Sequence, residues 1–159
     1  MENRTKLHLL VMDVDGTLTD GRIYIGPDGE TMKAFHVQDG YGIVHILPKL
    51  GITPAIITGR TSQIVKKRAG ELKIAHLYQG IGDKLHQLRE LADSLGIGPE
   101  SVAYIGDDSN DLDCIRWCGV SACPADAVPE VIEAVNYICQ RSGGRGAVRE
   151  FISWLSKQP

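Results

Sequence analysis

The sequence predicts an α/β protein, a doubly wound parallel sheet with helices on both faces. Three observations predict it. Short apolar runs alternate along the chain with longer segments of helical periodicity, the pattern of strand–helix–strand units. Most of these runs end in glycine-rich or acidic turns, at the edge where open parallel sheets bind ligands. One Pro-Asp-Gly turn between two β-prone runs breaks the rhythm and adds a β-hairpin after the first strand.

Residues 8–12 read as the first buried strand. Residues 22–25 and 31–35 flank Gly26-Pro27-Asp28-Gly29-Glu30, so a hairpin is expected over about 22–35. Asp39-Gly40 then opens a helix through Ile43, Val44, Ile46 and Leu47, which Pro48 should end or kink. Residues 53–57, 76–78 and 102–105 read as strands, and residues 62–72, 84–95 and 110–118 as helices. A tail over 141–159 holds the loop Arg141-Ser142-Gly143-Gly144-Arg145-Gly146 and a helix over 147–157, with Phe151, Trp154 and Leu155 on its buried face. No repeat, low-complexity run or long linker interrupts the 159 residues, and a single domain over 1–159 is expected.

Composition excludes several classes. The net charge is −3 with no basic block, so no nucleic-acid partner is expected. No apolar run approaches the ~18 residues of a membrane span. The start, Met1-Glu2-Asn3-Arg4-Thr5-Lys6, runs straight into the first strand without the features of a signal peptide, and a cytoplasmic location is expected. Cys114, Cys118, Cys123 and Cys139 lack paired CxxC spacing or a nearby histidine, so they read as buried free thiols rather than zinc ligands.

Four features carry chemistry. Asp13-Val14-Asp15-Gly16-Thr17-Leu18 puts two carboxylates on one side of an extended segment, directly after a strand. One can attack phosphorus while the other handles a leaving-group proton, although alone the pair also fits an acidic turn. Thr58-Gly59-Arg60 sets a hydroxyl beside a flexible glycine, suited to a phosphate oxygen or to a simple turn. Lys84 opens a helix, where the dipole disfavours a cation unless an anion is also present; alone, it also fits a solvated surface lysine. Gly106-Asp107-Asp108-Ser109-Asn110-Asp111 packs three carboxylates into five residues after a buried strand. Such oxygen density suits Mg²⁺, and the alternative is an acidic helix cap.

In this order, the four features resemble the motif set of the haloacid dehalogenase-like phosphatases, over nearly the whole chain. The resemblance implies a Rossmann-like sheet and bound Mg²⁺. It implies Asp13 as nucleophile, Asp15 as general acid/base, and Thr58 and Lys84 as holders of the phosphoryl group. Asp13, the Asp15 backbone carbonyl and Asp107 would hold the metal, with Asp111 supporting it directly or through water. An aspartate at position 15 argues against carbon–halogen chemistry, because dehalogenases lack it.

Only the hairpin follows Asp15, and one helix–strand unit separates Thr58 from Lys84, so neither interval holds a cap domain. An open site on a small substrate favours a neighbouring subunit as lid. Asp20-Gly21, Asp39-Gly40-Tyr41-Gly42-Ile43, Thr58-Gly59-Arg60, Arg68-Ala69, Gly106-Asp107-Asp108 with Asn110-Asp111, and Gly143-Gly144-Arg145-Gly146-Ala147-Val148-Arg149-Glu150 are similar to the capless family of 3-deoxy-D-manno-octulosonate 8-phosphate phosphatases. That resemblance implies a phosphorylated sugar-acid substrate. It also implies a homotetramer whose subunits close one another's sites, and substrate contacts from Asp39, Gly59, Arg60, Arg68 and Arg145. Arginine suits a carboxylate through its bidentate fork. For Asp39 the alternative is a helix cap, for Arg68 a solvated helix face, and for the Arg145 loop a flexible connector. Three other readings remain: a nine-carbon sialic-type sugar acid 9-phosphate as substrate, a phosphomutase, and a non-catalytic assembly domain of sugar-nucleotide synthesis.

Overall fold

The computed structural model describes residues 6–158, so the reading of the start at Met1–Thr5 and the last tail residue, Pro159, lie outside the described residues. In chain order the elements are β1 (Leu9–Met12), β2 (Tyr24–Gly26), β3 (Gly29–Met32), α1 (Val37–Tyr41), α2 (Leu47–Leu50), β4 (Thr53–Ile57), α3 (Gln63–Glu71) and β5 (His76–Tyr78). They continue with α4 (Lys84–Leu95), β6 (Val102–Ile105), α5 (Leu112–Trp117), β7 (Val120–Cys123), α6 (Pro129–Ala134), β8 (Tyr137–Ile138) and α7 (Ala147–Leu155). Six strands form one sheet in the order β5-β4-β1-β6-β7-β8, every pair parallel. The chain winds outward from β1 to β5, crosses back to β6, and winds outward the other way. The strand order therefore reverses between β1 and β6, and their C-terminal ends border the crevice where such sheets bind ligands.

The side-chain period of two sorts the core onto the two faces. Leu9, Val11, Ala55, Ile57, Val102 and Tyr104 pack with Leu88, Ile115 and Val131, so α4, α5 and α6 cover that face. Leu10, Met12, Ile56, Ala103 and Ile105 pack with Ile43, Leu47, Val65, Phe151 and Ile152 on the other. Burial on both faces explains why these strands read as continuous apolar runs rather than alternating ones.

Three expectations are corrected. The helix expected at Asp39 starts at Val37, because the His36 side chain accepts from the Gln38 N–H and caps it. Of the two outcomes expected of Pro48, ending or kinking that helix, the first does not occur. A π-helical turn, Gly42–Ile46, precedes Pro48, and the Leu47 N–H reaches back to the Gly42 carbonyl, so the widened turn absorbs the proline. The hairpin forms, but its second strand stops at Met32, which releases Lys33 from the ladder. β7, β8 and α6 were not foreseen. Trp154 is only partly buried, stacked on Tyr137 with ring centroids 4.8 Å apart.

Candidate active site

The Asp13 loop is fixed by its own backbone. The Asp13 N–H donates to the Ile105 carbonyl at 3.1 Å, continuing the β1–β6 ladder past the end of β1. The Val14 carbonyl then gathers the N–H groups of Thr17, Leu18 and Thr19, and the chain turns sharply. Gly16 makes that turn at φ +92°, and a side chain there would collide with the Asp107 carboxylate. Asp13 is left buried beside β6.

The loop after β6 is built around Asp111, which is fully buried. Its Oδ2 accepts the backbone N–H groups of Asp107 at 3.0 Å and Asp108 at 3.2 Å. Its Oδ1 accepts the Tyr104 hydroxyl at 2.6 Å and Lys84 Nζ at 2.9 Å. Lys84 also donates to Asp13 Oδ1 at 3.0 Å, so the ammonium bridges the two sheet-edge loops. The helix start that disfavours a lysine is tolerated because two carboxylates meet it. Thr17 Oγ1 donates to Asp107 Oδ1 at 3.1 Å and links the loops a second time.

The electrostatics follow from this crowding. Burial, then the Asp111 charge, pushes the Asp13 carboxyl up to about 6 against the opposing pull of Lys84. Burial, then Asp13, pushes Asp107 up to about 8. Burial lowers Lys84, but the charges of Asp13 and Asp111 outweigh it and raise the ammonium above its ordinary value. Asp13, Asp107 and Asp111 each offer an oxygen within 4.8 Å of the others. Three carboxylates against one lysine fit a hard divalent cation with oxygen ligands. Asp13 and Asp107 are the donors with capacity to spare. Asp111, expected to support the metal, has four protein donors on its roughly four lone-pair positions, and here it anchors Lys84.

The hairpin closes one side of this edge. Lys33 Nζ donates to Asp15 Oδ1 and pairs with Glu30 Oε2 at 3.0 Å. Glu30 in turn accepts from Ser62 Oγ and lies 3.7 Å from Arg60. Burial works against the Glu30 carboxylate, but the Ser62 hydrogen bond and Lys33 outweigh it and hold the group below its ordinary range. Glu30, Lys33 and Tyr104 were missed in the sequence. Glu30 and Lys33 pair three residues apart, but their contacts to Asp15, Ser62 and Arg60 cross distant segments, and Tyr104 is hidden in an apolar strand.

The other expected residues separate into groups. Thr58 is buried at the end of β4, its N–H on the Tyr78 carbonyl, and Gly59 follows it, where an added Cβ would lie 3.8 Å from the Ile81 carbonyl oxygen. Arg60 reaches the rim through Glu30. Arg68 instead lies over the Phe35 ring, 5.6 Å from its centroid, and pairs with Glu71 at 3.3 Å. Asp39 neither caps its own helix nor meets the cluster. Its Oδ1 accepts the Arg149 N–H at 2.8 Å, in the first turn of α7, whose own N-cap is Gly146. Burial pushes Asp39 up to about 6. Arg145 is exposed, and it is the loop backbone before it that docks. Gly143 donates to Asp126 Oδ1 at 3.0 Å and Gly144 to the Thr17 carbonyl at 3.2 Å.

A cavity of about 620 Å³ lies at the opposite edge of the sheet among Leu7, Ile52, Val120 and Trp154, with none of the clustered carboxylates. Charge, not cavity size, marks the site. Among the described residues no helix is long and apolar enough to cross a membrane.

Comparison with known proteins identifies the family and the fold. A family model for haloacid dehalogenase-like hydrolases matches residues 71–152. The 3-deoxy-D-manno-octulosonate 8-phosphate phosphatase KdsC of Escherichia coli (strain B / BL21-DE3) is 47% identical over 98% of this chain and 82% of its own length. A Moraxella catarrhalis 3-deoxy-D-manno-octulosonate 8-phosphate phosphatase, solved with a magnesium ion, a phosphate ion and a KDO molecule, superposes with a TM-score of 0.91. It is 44% identical, over 96% of this chain and 87% of that one. The cobalt-bound deoxy-D-mannose-octulosonate 8-phosphate phosphatase of Haemophilus influenzae gives a TM-score of 0.90 at 37% identity, over 94% of this chain and 87% of that one. Sequence, sheet order and likeness to solved structures thus agree, and the chain belongs to the haloacid dehalogenase-like hydrolases, in the capless phosphatase family that these relatives represent.

Proposed function

We propose that this chain hydrolyses 3-deoxy-D-manno-octulosonate 8-phosphate, with Mg²⁺ bound, through a phospho-aspartate on Asp13. The observation that carries the reading is the Asp13–Lys84–Asp111 bridge beside Asp107, at the point where the strand order reverses. Phosphoryl transfer needs in-line positioning and charge neutralisation more than other chemistry. Lys84 holds the Asp13 carboxylate at the strand edge for attack on phosphorus and offsets part of the negative charge that meets there. Thr58 and Gly59 receive the phosphoryl oxygens. Asp15 gives a proton to the departing sugar oxygen, then takes one from the water that cleaves the acyl phosphate and restores Asp13. Asp13, Asp107 and the Asp15 carbonyl would hold Mg²⁺, which would supply the positive charge that lets a carboxylate approach a phosphate. Arg60, with Arg68 and Arg145 as further candidates, meets the sugar-acid carboxylate and hydroxyls. The geometry of Asp39 supports a structural role instead.

The names of the relatives support the eight-carbon sugar acid, and the magnesium in the Moraxella structure supports the metal. A homotetramer that closes its own sites is supported by apolar side chains left in solvent: Ile25 is 71% exposed, Met32 55%, Val37 78% and Tyr41 53%. The four unpaired cysteines favour a reducing compartment, the cytoplasm.

The test is phosphate release from 3-deoxy-D-manno-octulosonate 8-phosphate and from nine-carbon sugar acid 9-phosphates, with and without Mg²⁺. Selective, metal-dependent release from the eight-carbon substrate supports the reading. Selective release from a nine-carbon acid, or none from either, overturns the substrate.

A further inference from the structure

We infer that Lys33, carried by the hairpin, is a positioning residue for Asp15, so that the hairpin aims the proton-transfer group of the site. The inference rests on the phosphatase reading above and goes beyond it. Nothing in the four-motif pattern involves the hairpin.

The Lys33 side chain is 0% exposed. An ammonium is kept out of water only where partners replace its hydration. Two do so here. Asp15 Oδ1 accepts its hydrogen bond, and Glu30 Oε2 lies 3.0 Å away in an ion pair without hydrogen-bond geometry. Glu30 is itself tied down on its far side. Ser62 Oγ donates to its Oε1, while the same Ser62 oxygen accepts the Val65 N–H and caps α3. The contacts therefore run unbroken from Asp15 through Lys33 and Glu30 to the start of α3, just past Thr58-Gly59-Arg60.

Position, not mere proximity, is what this chain of contacts fixes. With Oδ1 held by Lys33, the second oxygen of Asp15 is the one presented for proton exchange. The end of the β3 ladder at Met32 is what lets Lys33 turn inward. Without Lys33, no other described side chain donates to the Asp15 carboxylate, and it is free to rotate. Misplacement of a reacting group by about 1 Å costs on the order of 100-fold in rate.

The experiment compares wild type, Lys33→Met and Lys33→Arg, each with Mg²⁺, after thermal unfolding shows which variants fold. Two substrates separate the roles. The sugar-acid phosphate has an alkoxide leaving group that needs a proton. p-Nitrophenyl phosphate has a leaving group that does not, so its pre-steady-state burst reads attack by Asp13 without help from Asp15. For Lys33→Met the expected result is a fall in kcat of about 100-fold on the sugar-acid phosphate, with KM within about threefold and the p-nitrophenolate burst rate within about threefold. Lys33→Arg keeps the charge but moves the donor. It is expected to lose about tenfold in kcat with the burst intact, and it gives the answer if the neutral variant does not fold. A raised KM at unchanged kcat would make Lys33 a substrate contact and overturn the inference. Loss of the burst in step with kcat would make its role general support of the site and overturn it too. An inactive wild type sinks the phosphatase reading itself, whereas an active wild type with an unimpaired Lys33→Met sinks this inference alone.

Discussion

Asp13 and Asp107 are raised to about 6 and about 8, in each case by burial first and by a neighbouring carboxylate next, so pH and cation compete for the same two groups. A carboxyl whose folded pKa lies above its unfolded value binds more protons folded than unfolded between those two values. Stability is therefore lost as pH rises through that window. The cation-free protein is expected to melt at progressively lower temperature as pH rises from about 4 to about 8. Mg²⁺ should raise the melting temperature more at pH 8 than at pH 5. Differential scanning calorimetry with and without chelator checks this, and a cation effect equal at both values would contradict it. The anchor role of Asp111 predicts a different result. Asp111→Asn puts an amide donor against either the Lys84–Tyr104 side or the two backbone N–H groups. It is expected to cost about 3 kcal/mol in urea unfolding, the scale for breaking a buried charged pair. A cost below about 1 kcal/mol would mean that the four donors find other acceptors.

Between elements, the tail packs its apolar face into the core, and polar contacts set its position. Asp39 caps α7 from α1, replacing the side chain that Gly146 lacks. Asp39→Ala is expected to lose about 1 kcal/mol, the usual worth of a cap. Asp39→Asn keeps an acceptor, and its stability should be flatter with pH than that of the native protein from about 4 to about 6, where ionisation of the buried native carboxyl costs stability. Glycines divide the same way. A Cβ on Gly143 would fall 1.9 Å from the Gly16 carbonyl oxygen, so Gly143→Ala must push the tail off the Asp13 loop, with loss of both activity and melting temperature. Gly70, in α3, has nothing within 4 Å, and Gly70→Ala should gain about 0.5–1 kcal/mol without a change in activity. The sequence made the central strands and the paired helices legible because burial on both faces leaves uninterrupted apolar runs. It hid β7, where Ser121 breaks the run but is satisfied by Asn136, and β8, which is two residues long. The four motifs were legible because strand ends place their chemistry. The Lys33–Asp15 and Tyr104–Asp111 contacts were not, because they depend on where a hairpin folds back and on a hydroxyl inside an apolar strand.

At the scale of the whole molecule, an all-parallel sheet brings β1, β4 and β6 side by side, and their three following loops together with the start of α4 make one edge from four distant segments. The hairpin stands beside that edge with Ile25 and Met32 in solvent, which predicts association through it. Sedimentation equilibrium should give a tetramer for the native chain and smaller species for Ile25→Glu with Met32→Glu. A native monomer would remove the neighbour as lid. The proposed mechanism requires something narrower, that Asp13 be covalently phosphorylated during turnover. The direct measurement is rapid quench of enzyme with Mg²⁺ and 3-deoxy-D-manno-octulosonate 8-phosphate, followed by mass spectrometry of the peptide that contains Asp13. The expected result is a phosphoryl adduct on Asp13 that appears and decays within one turnover and is absent from Asp13→Asn, which releases no phosphate. Full phosphate release by Asp13→Asn, or an adduct on any other residue, would contradict it.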